Sequence, residues 1–180
     1  MAKNTVKKEE PKPFKVEVNG GRIVTLESFQ AHLMMTATEN SVKQGNADGV
    51  SIMLGLICMI GSIDGVQLTP ESLDDIDAVY TGDLFKFFEA KINIEDTDEK
   101  GKITGTLPSG KKITAIRPKI SHMRNAGRFG DENRSFAQVS DTVEIDGKKI
   151  EHLDVRLMDG LDFIAIQTFQ GTRAGTKANF

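Results

Sequence analysis

The chain predicts an α+β fold of two tandem small modules, each a β-hairpin followed by several short helices, mostly helical overall. Internal duplication is the main reason. Residues 41–65 and 123–147 align without a gap, share a glycine (Gly45, Gly127) and both close on Ile-Asp-Gly, at Ile63-Asp64-Gly65 and Ile145-Asp146-Gly147. Upstream, a Gly-x-Arg/Lys-Ile turn recurs as Gly20-Gly21-Arg22-Ile23 and Gly110-Lys111-Lys112-Ile113, and His32 and His122 fall at equal distances beyond these turns. Downstream, Asp77 and Leu84 match Asp154 and Leu161 after a short deletion in the second copy. The resulting division is an arm (1–13), module 1 (14–94), a linker (95–101), module 2 (102–170) and a tail (171–180).

Each element has a local cause. The arm is charged and carries Pro11 and Pro13, so it reads as disordered. Residues 14–27 read as a hairpin: Val16 and Val18 alternate with charged residues, Asn19-Gly20-Gly21 supplies the turn, and Ile23 and Val24 begin the return. Ser28 is placed to cap a helix running to Lys43, and Asp48 to cap the next, residues 50–61. Apolar residues occupy nearly every face of that second helix, which predicts a buried one. Asp64-Gly65 then reads as its left-handed stop. Thr69-Pro70-Glu71 is a strong helix start, followed by Leu73, Ile76, Val79 and Tyr80 at helical spacing. A last short helix opens at Asp83 and runs to Lys91.

In the second copy, residues 103–107 and 112–116 flank Pro108-Ser109-Gly110 as a hairpin. Arg117-Pro118 opens a helix to Gly127, and Asp131 is placed to cap a helix with Phe136, Val139 and Val143 on one stripe. Ile150 and Leu153 lead into a final helix carrying Leu161, Ile164, Ala165, Thr168 and Phe169. Residues 171–180 read as a mobile tail.

Composition narrows the class of protein. Apolar residues make up 38% of the chain, and the longest apolar run, residues 50–63, is interrupted by Ser51, Gly55, Gly61 and Ser62. It falls short of the roughly 20 residues a spanning helix needs. The charged opening lacks a signal peptide's apolar core, and a single cysteine, Cys58, suits a reducing compartment. The expectation is a soluble intracellular protein. A net charge of −3 gives no overall attraction to nucleic acid.

The chain offers little chemistry. Residues 45–49 lack the spacing and lysine of a phosphate loop. His32, His122 and His152 are scattered, without partners at metal-ligand spacing. Cys58 reads as a core thiol. Asp74, Asp75 and Asp77 follow a capped helix start, and they lack the twelve-residue calcium frame closed by glutamate, so they read as a solvated helix face. No catalytic, cofactor-binding or metal residue is assigned, and the chain is expected not to be an enzyme. Charge is distributed unevenly: acids dominate residues 64–99, and Lys100, Lys102, Lys111, Lys112, Arg117, Lys119, Arg124, Arg128 and Arg134 follow. These are read as mutually satisfying or solvated faces, of a kind that also steers protein encounters. Only Phe129 lies among the basic residues, so nucleic-acid binding is the weaker reading.

Residues 107–114, Leu-Pro-Ser-Gly-Lys-Lys-Ile-Thr, followed by Arg117-Pro118-Lys119-Ile120-Ser121-His122-Met123-Arg124, resemble the opening of small bacteriophage tail assembly chaperones. Residues 68–77, with Thr69-Pro70-Glu71 and a later Asp83-Leu84, resemble the closing half of the same family. Together they cover most of one module, and by duplication most of the chain, although the doubling departs from the usual single-module length. The resemblance implies a non-enzymatic chaperone in the host cytoplasm that binds the tape-measure protein and assists tail tube polymerisation. Phage baseplate hub and hub-assembly proteins open on a similar Leu-Pro-Ser-Gly hairpin, so a structural subunit of a tail or baseplate is the alternative. On the chaperone reading Phe85, Phe87, Phe88, Phe163 and Phe169 are candidates for exposed partner-binding faces, with core packing as the ordinary fate of such aromatics.

Overall fold

The computed structural model describes residues 12–46, 48–98, 100–130 and 133–171. Among these are eight helices and two antiparallel sheets of four and five strands, with 52% helix and 22% strand, which makes the fold α+β and mostly helical. The arm and tail readings fall almost wholly outside the described residues, as does Asp131.

The first copy begins with the expected hairpin, β1 (Phe14–Val18) and β2 (Arg22–Leu26), in the register Val16↔Val24. Val16, Val18, Val24 and Leu26 are buried and their neighbours are not, the alternation of a half-buried strand. Then come α1 (His32–Lys43), α2 (Gly49–Ile60), β3 (Gly61–Ile63), β4 (Val66–Gln67), α3 (Pro70–Asp74) and α4 (Thr81–Phe85). The second copy runs β5 (Asn93–Thr97), β6 (Ile103–Thr106), β7 (Lys112–Ala115), α5 (Ile120–Ala126), α6 (Arg134–Thr142), β8 (Val143–Ile145), β9 (Lys148–Lys149), α7 (His152–Leu157) and α8 (Gly160–Gly171). The sheets are ordered β1-β2-β3-β4 and β5-β6-β7-β8-β9.

The Ile-Asp-Gly motifs require a correction. Asp64-Gly65 does not stop α2, which ends at Ile60 and passes straight into β3. Both Asp-Gly pairs are two-residue hairpin turns, joining β3 to β4 and β8 to β9. The φ values are 50° and 82° at Asp64 and Gly65, and 50° and 74° at Asp146 and Gly147. Two successive positive φ angles are what a type I′ hairpin turn demands. In each copy the aspartate also ties this turn to the first hairpin. Asp64 Oδ1 accepts from Ile23 N at 2.9 Å, and Asp146 Oδ1 accepts from Lys112 N at 3.0 Å. The amides return the bond, Asp64 N to Ile23 O and Asp146 N to Lys112 O, both at 2.9 Å.

These contacts show two copies of one frame and adjust the alignment. Val24 pairs with Ile63 where Ile113 pairs with Ile145, so Val24, not Ile23, is the counterpart of Ile113. A one-residue slip exchanges the two faces of a strand, and it also removes the equivalence of His32 and His122. The downstream deletion disappears: a constant 82 residues separates Gly61 from Val143, Val66 from Lys148, Pro70 from His152 and Ala78 from Gly160. Asp77 therefore matches Asp159, and Leu84 matches Ile166, both buried apolar residues at that site. Gly45 has a positive φ of 79°, whereas Gly127 is helical; between α5 and α6 the positive-φ glycine is Gly130, at φ 80°.

Several boundaries move for physical reasons. Ser28 is not the cap of α1, because residues 29–31 are held against the second copy, with Gln30 bridged to Asp159, before the helix begins at His32. Asp48 does cap α2, accepting from Ser51 N at 3.0 Å, and Thr69 caps α3 in a reciprocal box with Ser72. Pro118 lies ahead of α5, whose first turn is closed by His122 Nδ1 accepting from Lys119 N. Residues 93–97, partly assigned to the linker, form β5, a strand with no counterpart among the described residues of the first copy. The last helical stretch is two helices, broken at Met158-Asp159, where Asp159 Oδ1 caps α8 by accepting from Leu161 N at 2.9 Å.

The copies pack together. Ala31 N donates to Met158 O at 3.0 Å and Gly160 N to Phe29 O at 2.7 Å. Ala31 is buried in the second core, while Leu161 and Ile164 of α8 pack on the first, so α8 serves both cores. Asp162 on the same helix is fully buried and accepts from Ser109 N and Ser109 Oγ at 2.9 and 2.6 Å. Asn19 plays a similar part in the first copy, donating to Asp75 O at 3.1 Å. In both copies the first hairpin's turn is thus tied to the helical layer.

Candidate protein-docking surfaces

The aromatic candidates mostly resolve into core. Phe88 and Phe163 are buried at 6% and 3% exposure. Phe85 and Phe87 are half-buried against the first core and Phe169 against the second. Phe14, Phe29, Phe87 and Phe88 form one ring cluster, with centroids 5.0–6.3 Å apart.

The sequence-selected polar residues are dispersed. His32 Nδ1 lies 3.3 Å from Arg156 O, His122 closes α5, and the His152 ring sits 5.0 Å from that of Phe129. Asp74, Asp75 and Asp77 are exposed, and among the described residues no three His, Cys, Asp or Glu side chains are grouped so as to hold a metal ion. Cys58 is half-buried, not sealed in the core. Burial pushes its thiol up, and the charges of Asp74 and Glu71 add to the shift, so it is held as a weakly nucleophilic thiol. Lys112 joins the acidic stretch to the basic one through Glu95 within a single sheet; that contact and Thr106 Oγ1 hold the Glu95 carboxyl below its usual range. Arg117 stacks 5.6 Å over the Phe169 ring. Among the described residues no helix is long and apolar enough to cross a membrane.

The common frame allows the surfaces of the copies to be compared position by position. Helix α2 has no charged side chain between Gly49 and Ile60. Only Leu56, Ile57 and Ile60 are buried; Ile52, Met53, Leu54, Cys58 and Met59 are half-buried and Val50 is 53% exposed. The expectation of a helix buried on all sides is corrected accordingly. At the equivalent positions α6 carries Arg134 for Ile52, Ser135 for Met53, Ser140 for Cys58 and Asp141 for Met59. Helices α3 and α7 differ in the opposite sense. Glu71 and Asp74 on α3 and Asp75 at its C-cap are replaced by Leu153, Arg156 and Leu157 on α7, and the two leucines are 59% and 61% exposed. Ile120 and Met123 on α5, at 76% and 55%, and Phe129, at 46%, add apolar surface to the second copy. These exposed apolar side chains of the second copy lie on α7, on α5 and in the turn that follows α5.

Spacing alone could not reveal this, because an exposed leucine on a short helix reads like a core one. The signal lies in carrying the gap-free match of residues 41–65 with 123–147 further downstream, where Leu153 and Leu157 stand opposite Glu71 and Asp75. Searches of protein-family models, curated proteins and solved structures find no match to the chain.

Proposed function

We propose that this chain is a non-enzymatic assembly chaperone that holds an extended, amphipathic protein partner across two docking surfaces, α2 in one copy and α7 with α5 in the other. The observation that carries the reading is the exchange of polar and apolar side chains between equivalent helices on an otherwise shared frame. Duplication without divergence would present one surface twice. Here α2 offers apolar, Met-containing surface beside acidic α3, and α7 offers leucines beside Arg156. Met side chains adapt to varied partners, and the flanking charges favour correct encounter. The resemblance of residues 107–124 to the opening, and of residues 68–84 to the closing half, of phage tail assembly chaperones makes the tape-measure protein the proposed partner, tail tube polymerisation the process and the host cytoplasm the place.

The test is co-expression of the full chain with the products of its neighbouring genes, looking for a very long helical protein among those that bind. Co-elution is expected, and its loss in a Leu153→Glu/Leu157→Asp variant, which installs the first copy's residues. No complex, or a complex indifferent to that variant, counts against the docking surface. Mass spectrometry of purified particles addresses the remaining alternative: stoichiometric presence would make the chain a structural subunit.

A further inference from the structure

The two copies differ at one sheet edge. In the second, β5 covers the outer side of β6; in the first, no described strand lies beyond β1, the counterpart of β6. Bare strand edges offer unpaired N–H and C=O groups to other strands, and proteins commonly blunt them. The other outer edges here are blunted. β4 and β9 have two residues each, and β5 is interrupted by an irregularity between Ile94 and Asp96 and presents Glu95 and Asp96. β1 pairs regularly with β2 over all five residues and contains neither proline nor bulge.

The sequence of β1, Phe-Lys-Val-Glu-Val, is also complementary to itself. Placed antiparallel to a second β1 about a two-fold axis through Val16, Lys15 falls opposite Glu17 of the second copy, and Glu17 opposite its Lys15. Both residues are exposed. On the other face Val16 meets Val16, and Phe14 meets Val18. Val16 and Val18 are buried and Phe14 is half-buried, so the two apolar faces would run on into one another. A one-residue shift of the register would oppose apolar and charged side chains, which fixes the pairing.

We infer that a second copy of this chain is the occupant of the β1 edge: two chains pair β1 to β1 antiparallel, joining their four-stranded sheets into one of eight strands. The contact is isologous, using the same patch on both subunits, and so closes at a dimer. It does not involve α2, α5 or α7, and holds whatever those helices bind.

Sedimentation equilibrium on the full chain tests this, with Lys15→Glu, Glu17→Lys and the double charge swap. Both side chains point to solvent, so circular dichroism should be unchanged by any of the three. A dimer is expected, weakened about tenfold by either single reversal, since each places like charges opposite one another at two symmetric sites. The double swap restores opposite charges and should return the constant to within about threefold of the parent. The inference is overturned by a full chain that is monomeric at about 100 μM, by a dimer indifferent to the single reversals, or by a swap that fails to restore it.

Discussion

Gly160 donates its amide to the carbonyl of Phe29 at 2.7 Å, and the Phe29 ring occupies the space that a side chain at position 160 would need. The two residues belong to different copies. The equivalent of Gly160 in the first copy is Ala78, which is exposed and has no such neighbour to avoid. Residue 160 is therefore a glycine because of packing between modules, since its own turn does not require one.

Gly160→Ala is expected to cost about 1–3 kcal/mol, the usual penalty of overpacking. Trimming the neighbour should relieve it, so Phe29→Leu/Gly160→Ala would lose less than the sum of its single changes. Urea midpoints of the three variants decide this; strict additivity would mean that the ring does not resist the methyl.

The Asp-Gly turns give a second expectation. Asp64→Ala removes the acceptor for Ile23 N and leaves an alanine in left-handed backbone, for a loss of about 1–2 kcal/mol. Asp146→Ala should lose a similar amount through Lys112 N. Asn tolerates the backbone and keeps an acceptor oxygen, so the Asn variants should lie close to the parent in thermal unfolding.

The third concerns pH. Burial pushes the Asp162 carboxyl above its ordinary 3.8, opposed by its two bonds from Ser109 and reinforced by Asp159. An acid whose folded pKa is raised holds its proton more tightly in the folded chain, so its ionisation works against folding. The penalty is absent below 3.8 and grows as pH rises through the folded value. Asp162→Asn should thus become progressively less unfavourable relative to the parent as pH rises through that window. The lowered carboxyls of Asp48, Glu71 and Glu95 act in the opposite sense in both proteins and cancel in the difference. Parallel urea midpoints across the window would show that Asp162 is not the titrating group.

Leu153→Glu/Leu157→Asp should change stability by no more than about 0.5 kcal/mol, because both side chains are exposed. Its expected effect falls on partner capture alone. A large drop in the melting temperature would reassign these leucines to folding.

How much could be read in advance followed how local the cause was. Asp48 and Thr69 announce their helices because a cap needs one side chain and the next few amides. Asn19-Gly20-Gly21 and Pro108-Ser109-Gly110 mark hairpins for the same reason. Strands β3, β4, β8 and β9 were invisible: two or three residues cannot display alternation, and Ile-Asp-Gly suits a helix stop as well as a type I′ turn, both needing positive φ. What decides between them is the bond from Ile23 or Lys112, some 34–41 residues away. β5 was missed because all five of its residues are exposed and polar side chains dominate it. The contrast between α3 and α7 was obscured by a superfluous deletion in the alignment, which placed Asp154 and Leu161 where Asp159 and Ile166 belong.

The spacing between copies is 89 residues at β2 and β7 but 82 at β3 and β8. The missing seven lie in the helical hairpin between those strands, where α1 and α2 have 12 residues each and α5 and α6 have 7 and 9. Shared between two arms, that is about one helical turn, or roughly 5 Å of additional reach. Val42 and Val50, both more than half exposed, sit on this overhang. Because β2 and β3 clamp the base of the hairpin, its length can change without disturbing either sheet. The first copy is in this respect a frame with an adjustable finger, and the second the same frame with the finger cut short.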